Sequence, residues 1–475
     1  MKHAWSHSFR VATAAVYGSS LLALGTACSP TSLVDVQASS TIVDPSQVKT
    51  EASALSFYNA ALSFFPRPLI SDGTVTTVVG MSAMSTDELA ATNRSNYGGV
   101  DTRTISTPDN ISYVSQLYTL LHLARIQAQQ ARQSLQLYAP NTPKTLQGRL
   151  FAIEGYTVLY FAELFCSGIP LTAVPVTGTP TPTPGLSTQE LFARAAALFD
   201  SALVTGADSA SVLNLARVGK GRALLGLGQF TEAAAAVHDV PTMYVYWQQM
   251  TTDLRNAMAY QIGNYRAEDA EGGTGMIWSA DPRSAIVVLT GRAGSMLWPS
   301  KYFVTPSGTF DPLTIEEYTP VRVADGLEAR LIEAEADLAN HGSTWLATLS
   351  TLRATCLGNA ACAPVPNLTA ANLPDTLTDP GTDSARLDLL MHERALWLYL
   401  TGHREGDFRR LARIYQRDPH TLWPSGRVHA PAFPPLYSQP LQSNDTFYGN
   451  DVVFVPSPSE KQNNPLYTGC NNLSP

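Results

Sequence analysis

The residues whose types could do chemistry are few, and most are wrongly spaced for catalysis. "HERAL", beginning at His392, opens like the H-E-x-x-H zinc helix, but Leu396 stands where the second imidazole must be, so a zinc ion there lacks a ligand. "RVGKGR", around Lys220, has the look of a phosphate-binding loop, yet Gly221 replaces the Ser or Thr such a loop offers to magnesium. No G-x-S-x-G elbow occurs, and no Cys stands beside a His for nucleophilic attack. A glycosidase needs two carboxylates about 5–10 Å apart in one cleft; here carboxylates are scattered along the chain. Nothing in these motifs requires an enzyme, a cofactor or a metal.

Two other residue classes carry more information. Tyr244, Tyr246, Trp247, Trp278, Trp298, Tyr302 and Trp423 fall in segments without helical periodicity. Exposed Trp and Tyr faces are what the apolar faces of sugars stack on, whereas the same rings also dominate core burial. Taken singly, each is a core residue; the cluster as a whole reads as a binding platform. The cysteines are the second class. Cys166, Cys356, Cys362 and Cys470 allow three pairings in an oxidising compartment. Cys356 and Cys362 bracket "CLGNAAC" and could close a local loop, leaving Cys166 and Cys470 as a long-range staple. No His lies near either pair, and the spacing fits no common zinc pattern.

The compartment follows from the first residues. Lys2 and Arg10 precede an uncharged Ala/Leu-rich run, Val11 to Ala27, which has the layout of a secretory signal. It ends "LLALGTAC", where Cys28 reads as the acylated first residue of a lipoprotein, although Gly25 occupies the place usually held by Leu and "GTA" also satisfies an ordinary signal peptidase. No later stretch reaches the ~18 apolar residues of a membrane span, so attachment is expected through lipid. The net charge is −8 with no basic block, which argues against nucleic acid as a partner.

The expected organisation is a signal peptide (1–27), a lipid anchor and tether (28–50) and one domain (51–475). Ser46 is placed to cap a first helix, and "SDGTVTTVVGMSAMSTDELAATNRSNYGGVDTR" shows no helical period and reads as loops. Apolar residues at three- and four-residue intervals predict helices at 111–137, 146–165 and 187–203, the last opened by a capping box of Ser187 and Glu190. In the next segment Ala223, Leu225, Gly228, Phe230, Ala234, Val237 and Pro241 follow the small/large spacing of a tetratricopeptide-type hairpin. One such unit cannot bury its own face, so the span of about 111–241 is expected to be a stack of degenerate repeats. An irregular, aromatic-rich region follows (244–320), and helices return within 322–475, at "VADGLEARLIEAEADLANH" and "DSARLDLLMHERALWLYLTGHREGDFRRLARIY". The fold class is mostly α.

The second of these segments carries a resemblance. "ERALWLYLTGHREGDFRRL" resembles the late signature of the SusD/RagB family of outer-membrane nutrient-binding lipoproteins, roughly E-R-x-x-E-x-x-x-E-G-h-R-x-x-D-L-x-R. Glu393, Arg394, Gly402, His403, Arg404, Asp407, Phe408 and Arg410 match, while Trp397 and Thr401 replace the two middle glutamates. "GRLFAIEGYTVLYFAELFCSGIPL" resembles the family helix that runs into "FGDIPL", "EARLIEAEADLA" its "LIRAEA" helix, and "FVPSPSEKQNNP" its closing P-x-P-x-x-E-x-x-x-N-P. The charges of the late signature read as a structural network, with Arg394 and Arg404 held by Glu393 or Asp407 and Gly402 ending the first helix.

The resemblance implies tetratricopeptide-like hairpins beside a loop-rich ligand region, a lipid anchor in the outer membrane facing the cell exterior, and no cofactor. It implies a role as the lid of a SusC-like TonB-dependent β-barrel transporter, to which glycans, or less readily peptides, are delivered. Ligand loops correspond to Asn93–Arg103 and Asn264–Tyr302, with Asn96, Tyr97, Tyr265, Trp278, Trp298 and Tyr302 as contact residues. The alternative is a repeat-containing outer-membrane lipoprotein that acts as an assembly scaffold without a small ligand.

Overall fold

The computed structural model describes residues 44–71, 76–91, 99–106, 111–250, 254, 265–266, 286–289, 296–299, 320–356, 359, 376–426, 447–470 and 472–475. Pro45–Pro475 forms one compact unit, and most of its described residues are helical. The signal peptide, Cys28 and the tether up to residue 43 lie outside the described residues. None of the described helices is long and apolar enough to cross a membrane.

Helix α1 (Glu51–Phe64) is capped by Thr50, whose hydroxyl accepts from Ser53 N in a capping box. Ser46 is not the cap: Pro45–Gln47 forms a separate 3-10 turn, because Pro45 fixes a turn before the helix and Thr50 offers the better-placed oxygen. After α2 (Pro66–Ile70) comes α3 (Val78–Ser85), a helix where loops were expected. Every residue of α3 is buried. A helix covered on all sides needs no polar face, so it shows no amphipathic period.

Helices α4 (Ile111–Tyr138), α5 (Lys144–Leu164), α6 (Thr188–Thr205), α7 (Ala210–Gly226), α8 (Phe230–Val237), α9 (Gly326–Ala339) and α10 (Trp345–Cys356) follow; α4 packs on α1, and each later one on its predecessor. Helices α4 to α8 fall within the span expected to be a tetratricopeptide-like stack, and α9 and α10 continue the packing beyond it. Ser187 and Glu190 close the capping box of α6, with Ser187 N donating to Glu190 Oε2 at 2.8 Å. Gly228, at φ +73°, makes the α7–α8 turn in the left-handed region that glycine tolerates best. On α8 the core-facing small residue is Ala233, fully buried, rather than Ala234. Helix α9 starts at Gly326 with Asp325 as its N-cap, so "VRVAD" before it is not helical. It forms strand β8 (Val321–Asp325), antiparallel to β4 (Val245–Gln248), while between α5 and α6 strand β2 (Ile169–Pro170) pairs antiparallel with β3 (Gly185–Leu186).

A single ring shows how the repeats interlock. Phe199 of α6 is fully buried between two glycines: a Cβ on Gly155 of α5 would sit 2.8 Å from Phe199 Cε1, and one on Gly219 of α7 2.3 Å from Cζ. Since the ring is confined from both sides, Gly219→Ala is expected to destabilise the protein by about 1–3 kcal/mol through overpacking, despite a helix-propensity gain of about 1 kcal/mol. Urea unfolding of the variant reads this directly. An unchanged midpoint would mean that the ring has room to retreat.

The carboxy-terminal part packs back on the stack. Helices α11 (Asp383–Trp397), α12 (Arg404–Arg413), α13 (Pro419–Leu422) and α14 (Pro458–Asn463) complete the set. The final tail returns beside the end of α5, through bridges Phe165–Phe454 and Ser167–Asn472, and is fastened there by a disulfide between Cys166 and Cys470. Cys356 is also disulfide-bonded, and Cys362 lies outside the described residues.

Candidate functional site

The expected ligand region is approached by four short strands. Strand β1 (Ala90–Ala91) pairs antiparallel with β5 (Tyr265–Arg266), setting Ala91 opposite Tyr265. Strand β6 (Ile286–Leu289) pairs with β7 (Met296–Pro299), setting Val287 opposite Trp298. Strands β5 and β7 also touch. The backbone therefore draws together two stretches about 175 residues apart, one leading into Asn93–Arg103 and the other running through 264–302. Tyr265 and Trp298 stand on these strands, whereas Asn96, Tyr97, Trp278 and Tyr302 lie outside the described residues.

Both ends of the first stretch are clamped. On its amino-terminal side Tyr448 Oη donates to Asp87 Oδ2 at 2.9 Å, Tyr399 Oη to the Glu88 carbonyl at 3.3 Å, and Leu400 N to Glu88 Oε1 at 3.3 Å. On the other side the buried Arg103 guanidinium donates to carbonyls of Gly449 at 2.6 Å, Asp451 at 3.2 Å and Pro424. Gly449 N returns a bond to Thr102 O at 2.7 Å. An arginine that donates to three carbonyls fixes a loop end more firmly than any single contact.

The anchor for Glu88 is the turn inside the "ERALWLYLTGHREGDFRRL" stretch. Helix α11 ends at Trp397, five residues before Gly402, and the intervening turn places Leu400 at φ +54° and Gly402 at φ +79°. Gly402 thus shapes the turn rather than ending the helix. A Cβ there would meet Val78 Cγ1 at 3.0 Å, so α3 packs directly against it. The left-handed Leu400 costs on the order of 1–3 kcal/mol, offset here by its bond to Glu88 and the packing around it.

Behind the turn lies a buried ionic network. Arg394 Nε donates to Asp407 at 2.9–3.0 Å, Arg410 joins Asp407 at 2.9 Å, and both arms of Arg410 grip Glu335 of α9 at 2.7 and 2.8 Å. Glu393 pairs with neither Arg394 nor Arg404; it faces Arg353 of α10 across two hydrogen bonds. Arg404 lies over the Phe408 ring at 4.2 Å. A second knot joins the repeats to the turn: Arg222 of α7 donates to both oxygens of Glu163 of α5 at 2.6 and 2.7 Å, and its Nη1 is 2.7 Å from His403 Nε2. Glu328 Oε1 is 3.0 Å from the same His403 nitrogen, and Thr401 Oγ1 is 2.7 Å from Nδ1.

The electrostatics are those of compensated buried charge. Burial alone would raise the Asp407 carboxyl, but Arg394, Arg410 and His403 together hold it far below the usual carboxylate range. Glu163 and Glu328 are pushed up by burial, only partly opposed by Arg222. Glu405 is likewise raised by burial, and its Oε2 accepts from Ser85 Oγ at 2.8 Å and Trp423 Nε1 at 3.0 Å. Trp423 is thus a core residue, 1% exposed and edge-on to Phe408, and offers no face to a ligand. Sequence reading missed Glu163, Arg222, Glu328, Glu335 and Arg353. Their signal is a charge standing on an apolar helical stripe, as Glu163 does beside Tyr160 and Leu164.

The remaining aromatics of β4 are half-buried. Tyr244 Oη donates to the Ser211 carbonyl at 2.8 Å, and Arg322 of β8 lies over the Trp247 ring at 5.0 Å. Burial raises both the Tyr244 and Tyr246 hydroxyls. Two open clefts occur among the described residues, one of about 780 Å³ beside Trp345, Leu346 and Arg386, the other of about 610 Å³ between Ala197, Lys220 and Ala236. Among the described residues no group of three or more His, Cys, Asp or Glu is placed to hold a metal ion.

No family model and no curated protein matches the sequence. Solved structures do match the fold. A SusD-like carbohydrate binding protein from Bacteroides fragilis is 14% identical with a TM-score of 0.61, covering 88% of this chain and 99% of its own. A SusD superfamily protein from Parabacteroides distasonis is 12% identical with a TM-score of 0.61, covering 89% of this chain and 99% of its own. The surface glycan-binding protein A of Bacteroides uniformis is 11% identical with a TM-score of 0.59, covering 89% and 99% respectively.

Proposed function

We propose that this chain, whose fold is that of the SusD superfamily, is a surface lipoprotein that captures a glycan and delivers it to a SusC-like TonB-dependent transporter of the outer membrane. The observation that carries the reading is the pairing of β1 with β5, together with the contact of β5 with β7. It supports the reading because it brings the chain leading into the first expected ligand segment beside the chain of the second. Binding sites are disproportionately loops positioned by a rigid scaffold. The structural relatives described as carbohydrate- or glycan-binding support a sugar over a peptide.

In this mechanism the repeats and the buried ionic network do not touch the ligand. They hold loop ends, while aromatic rings stack on sugar faces and amides such as Asn96 supply hydrogen bonds. Release is an opening of the lid over the pore, driven by rigid-body motion and not by bond chemistry. Cys28 is the acylated anchor, and the protein faces the cell exterior.

The test is calorimetric titration of the intact mature protein with a panel of neutral oligosaccharides and, separately, of peptides. Once a binder is found, Trp298→Ala is expected to weaken it by about thirtyfold, the loss when a hot-spot Trp contributing about 2 kcal/mol is truncated. The unfolding temperature should stay within a few degrees of the parent. Undiminished affinity in Trp298→Ala and in Tyr265→Ala would remove these residues from the site, and binding of peptides but no sugar would reverse the ligand class.

A further inference from the structure

Helix α12 carries more positive charge than the carboxylates around it take up. Arg409 is 1% exposed, yet only its Nη1 has a partner, the Ala162 carbonyl oxygen at 2.9 Å. No acceptor among the described residues meets its Nε or Nη2. Arg413, one turn further on, is half-buried. Its Nη2 donates to the Gly226 carbonyl at 3.4 Å, its guanidinium lies over the Phe192 ring at 5.3 Å, and its Nε has no protein acceptor. Arg394 also has nitrogens without acceptors, but it is neutralised by Asp407.

The acids that bear on Arg409 are committed elsewhere. Both oxygens of Glu163 are bonded to Arg222. Glu405 accepts from Ser85 and Trp423, and burial favours its protonated form. Burial, then the charge of Arg413, pushes the Arg409 guanidinium down to about 9, and burial, then Arg410, pushes Arg413 down to about 10. Two arginines four apart on one helical face therefore share an interior place with no carboxylate bonded to either.

We propose that Arg409 and Arg413 together hold a small monovalent anion, chloride in size and charge, where α12 meets the last turns of α5 and α7. A guanidinium in the interior without a counter-charge is strongly disfavoured. Three nitrogens of two neighbouring cations keep N–H groups that no side chain among the described residues accepts from, and a spherical anion can accept from them without a fixed geometry. The carbonyls of Ala162 and Gly226 hold the two cations from the helix-end side, where partial negative charge would repel an anion. The anion consequently takes the Nε side, reached past half-buried Arg413.

Crystals of the intact mature protein soaked in sodium bromide supply the test. An anomalous bromide peak within hydrogen-bonding distance of Arg409 Nε or Nη2 is expected, and its absence overturns the proposal in favour of water. In solution at constant ionic strength, replacing gluconate by chloride is expected to raise the unfolding temperature by roughly 1.5 °C for each tenfold excess of chloride over its dissociation constant. Arg413→Gln, at the more exposed position, should abolish that rise. An equal response to chloride in the parent and in Arg413→Gln would also overturn the proposal.

Discussion

Replacing Asp407 with alanine is expected to remove about 3–5 kcal/mol of folding stability, the usual loss when one partner of a buried ion pair is deleted. The carboxylate is 3% exposed and bonded to both Arg394 and Arg410. Deleting it leaves Arg394 without its counter-charge and Arg410 with Glu335 alone. Urea unfolding checks this, and combining Asp407→Ala with Arg394→Met should cost less than the two single losses summed, because the second change removes the uncompensated charge. The pH dependence has a defined sign. A carboxyl whose folded value is depressed stabilises the fold fully above its unfolded value near 4 and loses that contribution as pH falls through the folded value. The parent should therefore lose stability below about pH 4, and Asp407→Ala should lose less over that range. A variant as stable as the parent at pH 7 would mean that the network contributes geometry but no net energy.

Breaking the Cys166–Cys470 disulfide is the second large effect. The bond spans 304 residues, so it restricts the larger part of the folded unit when the chain unfolds. Loop-closure entropy puts its contribution at about 6 kcal/mol, although measured cross-links often deliver less. Cys470→Ser is expected to lower the unfolding midpoint accordingly. It should also release the tail, which bridges Ser167 to Asn472 and whose Asn464 Nδ2 donates to the Thr183 carbonyl at 3.0 Å. Limited proteolysis cutting first near the carboxyl terminus in this variant would confirm the release. Equal protease resistance and an equal midpoint would show that α14 and the Phe165–Phe454 bridge hold the tail without the bond.

The helical stack was legible because its signals are local. A capping box at Ser187 and Glu190 and a glycine at the α7–α8 turn each state a backbone requirement within one turn of sequence. Helix α3 was not legible, since a helix buried on all sides carries no polar face to mark its period. Strand β8 was misread for a related reason: "VRVAD" runs straight into a strong helix, and only its pairing with "VYWQ" across some 70 residues makes it a strand. The late signature pointed to buried charge, but partners came from elements far along the chain. Glu393 meets Arg353, Arg410 meets Glu335, and Arg222 meets Glu163, and no local spacing rule relates those positions. Aromatic character alone also failed to separate platform from core, as Trp423 shows.

On the proposed reading this protein works as a capture lid on a transporter. The most direct test is affinity isolation of the native protein from gently solubilised outer membranes, followed by identification of the proteins that accompany it. Co-isolation of a large TonB-dependent β-barrel in roughly equal amount is the expected result. Recovery of the intact, acylated protein without any such barrel would contradict the account, and would leave the helical repeats as an assembly scaffold.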